Sequence, residues 1–338
     1  MSHLKPTLPM ELIAVNKQPI ISLEETIFEG TISTAKPFIE ANTIPVSLQE
    51  MQHKHIIPVF VKDNEPLISH IDFIESVEQV VHHLYSKESI LVPSIRVSHP
   101  IKGRIPEARH KPAKELLEHE QTLYYERMAF VIEIPTIHET IDGNLLTLTI
   151  GGVKAYNLDN IYSKKGAEEV FKIFIGFQNK VCTNLCVWSD GYTGNIKVRS
   201  MKELSDKIFQ AICQFKAESY LKAMASFTQF SLTERQFAQM LGKCRLYPFL
   251  GSEQKKELPT LLFGDTQTGF IARDYYKDDS FCRNDDGSIS LWKVYNLFTG
   301  ANKSSYIDTF IDRGVNAFDF TNTLVNTLQI GSESWFLN

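Results

Sequence analysis

The sequence predicts an α+β protein, with a mainly antiparallel sheet in its first half and a helix-rich C-terminal half. Three observations carry that expectation. Between about residues 125 and 200, apolar and polar side chains alternate in short runs joined by glycine-containing turns. Beyond Met201 the apolar spacing lengthens to that of helices, with capping residues ahead of them. Prolines interrupt residues 1–52 and 96–114, where neither pattern holds. A hydrophobic fraction of 43% and a charged fraction of 22% lie near globular averages and exclude wholesale disorder and fibrous classes. The 338 residues divide into an N-terminal arm or subdomain (1–52), a sheet-centred α+β domain (53–200) and a helix-rich C-terminal region packed on it (201–338).

Taken in order, Pro6, Pro9, Pro19, Pro37 and Pro45 break the apolar pieces of the arm, which is expected to lie against the rest. HIIPVFV reads as a strand, DNE as a turn and SHIDFIESVEQVVHHLY as a helix. Ser69 and Asp72 have capping-box spacing, and Ile71, Ile74, Val77, Val80, Val81 and Leu84 recur at helical intervals. In RVSHPIKGRIPEARHKPAK, residues 96–114, Pro100, Pro106 and Pro112 leave only loop or edge. MAFVIEIP and LLTLTIGGVKAY are strands joined at Asp142-Gly143, a hairpin signal. VFKIFIGF, VCTNLCVW and NIKVR extend the sheet to four or five antiparallel strands across residues 125–200.

The second half starts with MKELSDKIFQAICQFKAESYLKAMASF, whose Leu204, Ile208, Ile212, Phe215 and Leu221 share one helical stripe. Ser231 and Glu234 have the spacing of a capping box for the next helix. Residues 245–279 are less regular, with strand-like TLLF and GFIARDYY. SISLWKVYNLFTG and SSYIDTFIDRGVNAF read as two helices joined by a short turn, with Gly300 as the C-terminal cap of the first. No internal repeat or low-complexity tract is evident.

The net charge of -5 argues against a protein coated in positive potential. Residues 96–114 reverse that sign, because Arg96, Lys102, Arg104, Arg109, Lys111 and Lys114 face one acid, Glu107, with His99 and His110 besides. A proline-restricted backbone holds such cations extended and suits them to a phosphate backbone at little ordering cost. A solvated connecting loop has the same composition. Tyr124, Tyr125, Phe171, Phe174, Phe177 and Trp188 are candidates for base stacking, although phenylalanines at strand spacing ordinarily pack between layers.

Other constellations are weaker. On a strand, Cys182 and Cys186 share a face roughly 13 Å apart, too far to hold one zinc, so they read as small apolar thiols. Asn184 would lie on that same face and fix the geometry of the sheet. Asp308, Asp312 and Asn316 recur at i, i+4 and i+8, where two carboxylates would be repelled by DNA. They could bind a divalent cation, or face solvent or pair with Lys303 or Arg313. RNDDGSIS reads as a turn, and His82-His83 has no ligand partner in the next turns. There is no P-loop, HExxH, GxSxG or Rossmann fingerprint, so no catalytic residue, metal or cofactor is assigned. The first twenty residues resemble no secretory signal and no apolar run is long enough to span a bilayer, so the expected location is the cytoplasm, with the five cysteines reduced.

Seven stretches, KPFIEANT, IPVFVKDNEPLISH, SHPIKGRIPEAR, GGVKAYNLDNIYSKK, FIGFQNKVCTNLCV, LWKVYNLFTGANKSSYIDTFIDR and GSESWFLN, resemble an uncharacterised bacterial family, domain of unknown function three-eight-seven-one. The chain is similar, more distantly, to the phage/plasmid-like protein family. That likeness rests on a V-C-x-N motif at Val181, Cys182 and Asn184 and on a tryptophan-centred helix at Trp292, Asn296 and Thr299. It implies a nucleic-acid role on a phage, plasmid or conjugative element. The expected function is therefore an accessory protein of mobile-element DNA metabolism that binds single-stranded DNA in annealing or protection, with self-association into a homo-oligomer left open and no membrane partner. The alternatives are a metal-dependent enzyme using Asp308, Asp312 and Asn316 or Asp190, and an interaction protein that inhibits a host defence.

Overall fold

The computed structural model describes residues 37–54, 68–159 and 168–338. The expected strand HIIPVFV, the turn DNE and most of the N-terminal arm lie outside the described residues, as does the side chain of Asp190. The rest of the arm carries a short strand, β1 (Ile44–Pro45), and a helix, α1 (Leu48–Lys54).

Next comes α2 (His70–Leu84), and the capping box that starts it is formed: the Asp72 amide donates to Ser69 Oγ at 3.0 Å and the Ser69 amide donates to Asp72 Oδ2 at 2.9 Å. Phe73, Ile74, Val77 and Val81 then form its buried stripe. After β2 (Ser94–Val97), strands β3 (Pro100–Arg104) and β4 (Gln121–Tyr125) pair, among the described residues, only with each other. β5 (Arg127–Ile141) and β6 (Asn144–Ala155) meet across Asp142 (φ 51°) and Gly143 (φ 74°), both in the left-handed region that a two-residue type I′ turn requires. The β5 register shifts between Ile134 and His138, next to Pro135, which has no N–H to donate.

Among the described residues, β7 (Glu169–Asn179), β8 (Leu185–Tyr192) and β9 (Ile196–Val198) join a seven-stranded antiparallel sheet in the order β1-β2-β5-β6-β7-β8, with β9 pairing with β7. Alternation gives it two apolar faces. Met128, Phe130, Ile132, Ile150, Phe171, Ile173, Ile175 and Cys186 belong to the core under α2 and α3 (Met201–Gln214). Gly152 lets that layer approach, since a Cβ there would stand 2.4 Å from the Phe73 ring. Ala129, Val131, Val153, Phe174, Leu185 and Val187 form the other face, covered by Phe38, Ile39 and the first half of α9 (Ile307–Ile330).

The helical half contains α4 (Ala217–Ser226), α5 (Glu234–Leu246), α6 (Ser252–Lys256), α7 (Asp265–Lys277) and α8 (Leu291–Asn302), with a short strand pair, β10 (Ser231–Leu232) and β11 (Ile289–Ser290). One apolar cluster runs from Val46 through the sheet to Leu337. Among the described residues no helix is long and apolar enough to cross a membrane.

Several local expectations are corrected. VCTN is the turn between β7 and β8, with Thr183 at φ 58°, so Cys182 and Asn184 do not share a strand face with Cys186. The helical stripe from Leu204 to Leu221 breaks at Phe215 and Lys216 into α3 and α4. Ser231 is in β10, and the capping box forms two residues on, where the Gln236 amide donates to Thr233 Oγ1 and the Thr233 amide to Gln236 Oε1. GFIARDYY is helical, because Ile271 and Tyr275 bury at i, i+4 within α7. Gly300 lies inside α8, and Lys303 is the C-terminal cap.

Candidate nucleic-acid interface

The cationic stretch is an ordered ribbon with three-residue 3-10 turns at Pro106–Ala108, Ala113–Glu115 and Glu118–Glu120 between its strands. β3 and β4 register Lys102 opposite Leu123 and Arg104 opposite Gln121, while Ile101 and Tyr124 face the other way. Lys102 and Lys114 are exposed and form no hydrogen bond or ion pair with any described residue. Arg109 is exposed as well, with Nε donating to His110 Nε2 at 2.9 Å.

The other three cations are engaged. Arg96 lies inside the main sheet on β2 and donates from Nε to Thr43 Oγ1 at 3.0 Å and from Nη2 to Thr43 O at 2.7 Å. Its burial lowers the guanidinium pKa, with the negative charge of Glu40 acting in the opposite sense. Arg104 donates to the carbonyl of Lys111, and Lys111 pairs with Glu120 at 2.5 Å. Hydrogen bonds from Lys111 and from the Leu117 amide hold the Glu120 carboxyl below its usual range. Acids also follow the cations in the segment that leads into β4. From residue 96 to 126 six cations stand beside five acids, Glu107, Glu115, Glu118, Glu120 and Glu126.

The stacking candidates sort by burial. Tyr125, Phe171, Phe174 and Phe177 are core, Trp188 is half-buried against Tyr220 and Phe318, and Tyr124 alone stands half-exposed on the ribbon.

The residues of the V-C-x-N motif and the tryptophan-centred helix meet at one buried junction. Asn179 Nδ2 donates to Asn296 Oδ1 at 3.1 Å, Asn184 Nδ2 to the carbonyl of Asn296 at 3.0 Å, and Asn296 Nδ2 to the carbonyl of Trp292 at 2.9 Å. Lys303 donates to the Cys182 carbonyl and, at 2.9 Å, to Thr183 Oγ1. Trp292 Nε1 donates to Asn144 Oδ1, and Thr299 Oγ1 to the carbonyl of Tyr295. Each polar group here has a protein partner, so the junction docks the β7–β8 turn onto α8. Burial pushes the Cys186 thiol well up, which leaves it without thiolate character.

Asp308 and Asp312 face the sheet. Lys172 Nζ donates to Asp312 Oδ2 and to the Asp308 carbonyl, both at 2.7 Å, and the Tyr192 hydroxyl donates to Asp312 Oδ1. Burial and the Asp312 charge push the Tyr192 phenol up, so it stays a donor. Asn316 instead fixes the strand-like TLLF stretch, accepting from the Leu262 amide and donating to the Thr260 carbonyl, both at 2.8 Å. The i, i+4, i+8 residues therefore serve two separate contacts, and among the described residues no three His, Cys, Asp or Glu side chains converge as a metal site.

Two features had no signal in the sequence. Lys154 of β6 is wholly buried, pairs with Asp159 at 2.7 Å and Glu169 at 3.1 Å, and lies 4.0 Å from the centre of the Phe171 ring. Arg127 and Tyr306 line a cleft beside the ribbon together with Asn42, Ser98, His99 and Ile101. The family described as "Domain of unknown function, B. Theta Gene description (DUF3871)" matches residues 21–337. No curated protein and no solved structure matches the chain.

Proposed function

We propose that this chain, which belongs to the DUF3871 family, is an accessory nucleic-acid-binding protein that acts in the cytoplasm on single-stranded DNA in mobile-element metabolism. The observation that carries the reading is the ribbon: an ordered two-stranded sheet, separate from the main one, that presents Lys102, Arg109 and Lys114 to solvent with no carboxylate paired to them among the described residues. A cation held on a fixed backbone loses little entropy on meeting a phosphate, whereas one already in a clasp must first give up its partner. The three exposed cations are accordingly the phosphate contacts. Arg96, Arg104 and Lys111 hold the ribbon and its root in shape. The likeness of the Val181, Cys182 and Asn184 motif to phage/plasmid-like proteins supports the mobile-element setting, and its buried geometry assigns the motif to the scaffold.

The test is binding of fluorescent single-stranded DNA, duplex DNA and RNA across a salt series. Binding is expected to fall steeply with salt. The triple variant Lys102→Gln, Arg109→Gln, Lys114→Gln should flatten the log–log slope by about 2, at roughly 0.7 for each phosphate no longer neutralised on a single strand. Absent or salt-independent binding would sink the reading.

A further inference from the structure

Where the ribbon joins the main sheet, four segments far apart in sequence enclose a cleft of about 240 Å³. That is below the range of roughly 300–1,000 Å³ common for whole drug-sized ligands, so one small planar group is the right scale of occupant. Tyr306 stands at the lip, 57% exposed, with no ring neighbour among the described residues. Its backbone is fixed, because it caps α9 and its carbonyl accepts from the Thr309 amide at 3.1 Å. A fixed backbone with a free aromatic face is a stacking platform.

Arg127 lies on the same cleft. Its guanidinium is 3.7 Å from Glu126 and 3.9 Å from Asp308, beyond hydrogen-bonding distance of either, so charge orients it without closing its outer donors. With Glu126 and Asp308 beside the one guanidinium the site carries a charge of about −1, so a dianionic phosphomonoester is disfavoured and a monoanionic phosphodiester is met only by the outer donors of Arg127. Ile101 of β3 forms part of the cleft wall, so the cleft adjoins the ribbon.

We propose that the cleft seats one base of a single-stranded nucleic acid, stacked on Tyr306, with its phosphodiester on the outer donors of Arg127. The proposal rests on the reading of the ribbon as a nucleic-acid contact. It also supplies the preference for single strands, since a base stacked within a duplex has no free face to offer.

Anisotropy titrations with a labelled oligothymidine, an oligonucleotide with abasic sites and a duplex test it on the full chain. Tyr306→Ala should weaken oligothymidine binding about 5- to 150-fold, the range of roughly 1–3 kcal/mol per stacked base, with an unchanged salt slope. Tyr306→Phe should bind as the native protein does, and the abasic strand should bind native protein and Tyr306→Ala alike. Equal thermal unfolding of the variants checks that folding is intact. Oligothymidine binding by Tyr306→Ala within twofold of native overturns the inference, as does an equal loss on duplex. If the ribbon variant flattens the slope while Tyr306→Ala is neutral, the cleft fails and the ribbon reading stands. If the ribbon variant leaves the slope intact while Tyr306→Ala weakens binding, the ribbon reading fails and the cleft stands. No binding to any nucleic acid overturns both.

Discussion

Lys154 and Lys102 are both lysines on antiparallel strands, yet they do opposite things. Lys154 is buried between Asp159 and Glu169, and those carboxylates in turn accept the backbone amides of Val170 and Ile68. Lys102 is exposed and meets no carboxylate among the described residues. The difference teaches that a cation's role is set by which segments return acids to it, since the desolvated charge is fixed by its partners and the solvated one stays exchangeable. Removing each charge is the harshest way to break the comparison. Lys154→Met should lower stability by about 3–5 kcal/mol, because it strands two buried carboxylates, while Lys102→Met should stay within about 0.5 kcal/mol. Urea denaturation monitored by fluorescence reads both, and equal effects would show that burial of the triad carries no special weight.

The asparagine junction is a neutral counterpart to the buried triad. Asn296→Ala leaves Asn179 Nδ2 buried without its acceptor, so a loss of about 1–3 kcal/mol is expected in the same denaturation experiment. Nucleic-acid affinity of the folded variant should match that of the native protein. A selective loss of binding with stability intact would instead move these residues from scaffold to site.

What was legible in the sequence depended on how local its causes are. Ser69 with Asp72 and the helical spacing of Ile71, Ile74, Val77, Val80, Val81 and Leu84 made α2 readable, and Asp142-Gly143 marked the hairpin. In α2, however, Phe73 joins Ile74, Val77 and Val81 in the buried stripe, while Ile71, Val80 and Leu84 lie at its margin. VCTN carries β-branched residues and reads as strand, but Asn179 closes the turn by accepting from the Val181 amide, and Lys303, over a hundred residues away, holds the Cys182 carbonyl. Tertiary contact overrode propensity there. GFIARDYY differs for a related reason: its aromatic and branched residues suit a strand, yet Thr268, Ile271 and Tyr275 fall on one helical face against the core. In the cationic stretch the residue types are visible, but the run of cations ends at Lys114 and the acid that engages Lys111, Glu120, lies beyond it. The fold of the β3–β4 connection, which brings Lys111 Nζ to the Glu120 carboxylate, decides that this cation is engaged. The cleft was invisible, because its walls come from residues near 42, 99, 127 and 306.

The finest test of the contrast lies within the ribbon, where an engaged lysine and exposed ones sit a few residues apart. Lys111 and the Leu117 amide hold the Glu120 carboxyl below its ordinary value of 4.5. A carboxyl whose folded pKa is depressed stabilises the fold fully above its unfolded value and loses that contribution as the pH falls through the folded one. The clasp between Lys111 and Glu120 should thus be intact at neutral pH and open only below 4.5. A carbon-detected titration of Glu120 should show a midpoint under 4.5 in the native protein, rising toward that value in Lys111→Met. Lys102→Met should leave the midpoint where it was, since Lys102 takes no part in the clasp. If both substitutions raise it equally, the ribbon cations act as one diffuse field, and the division into engaged and exchangeable lysines is wrong.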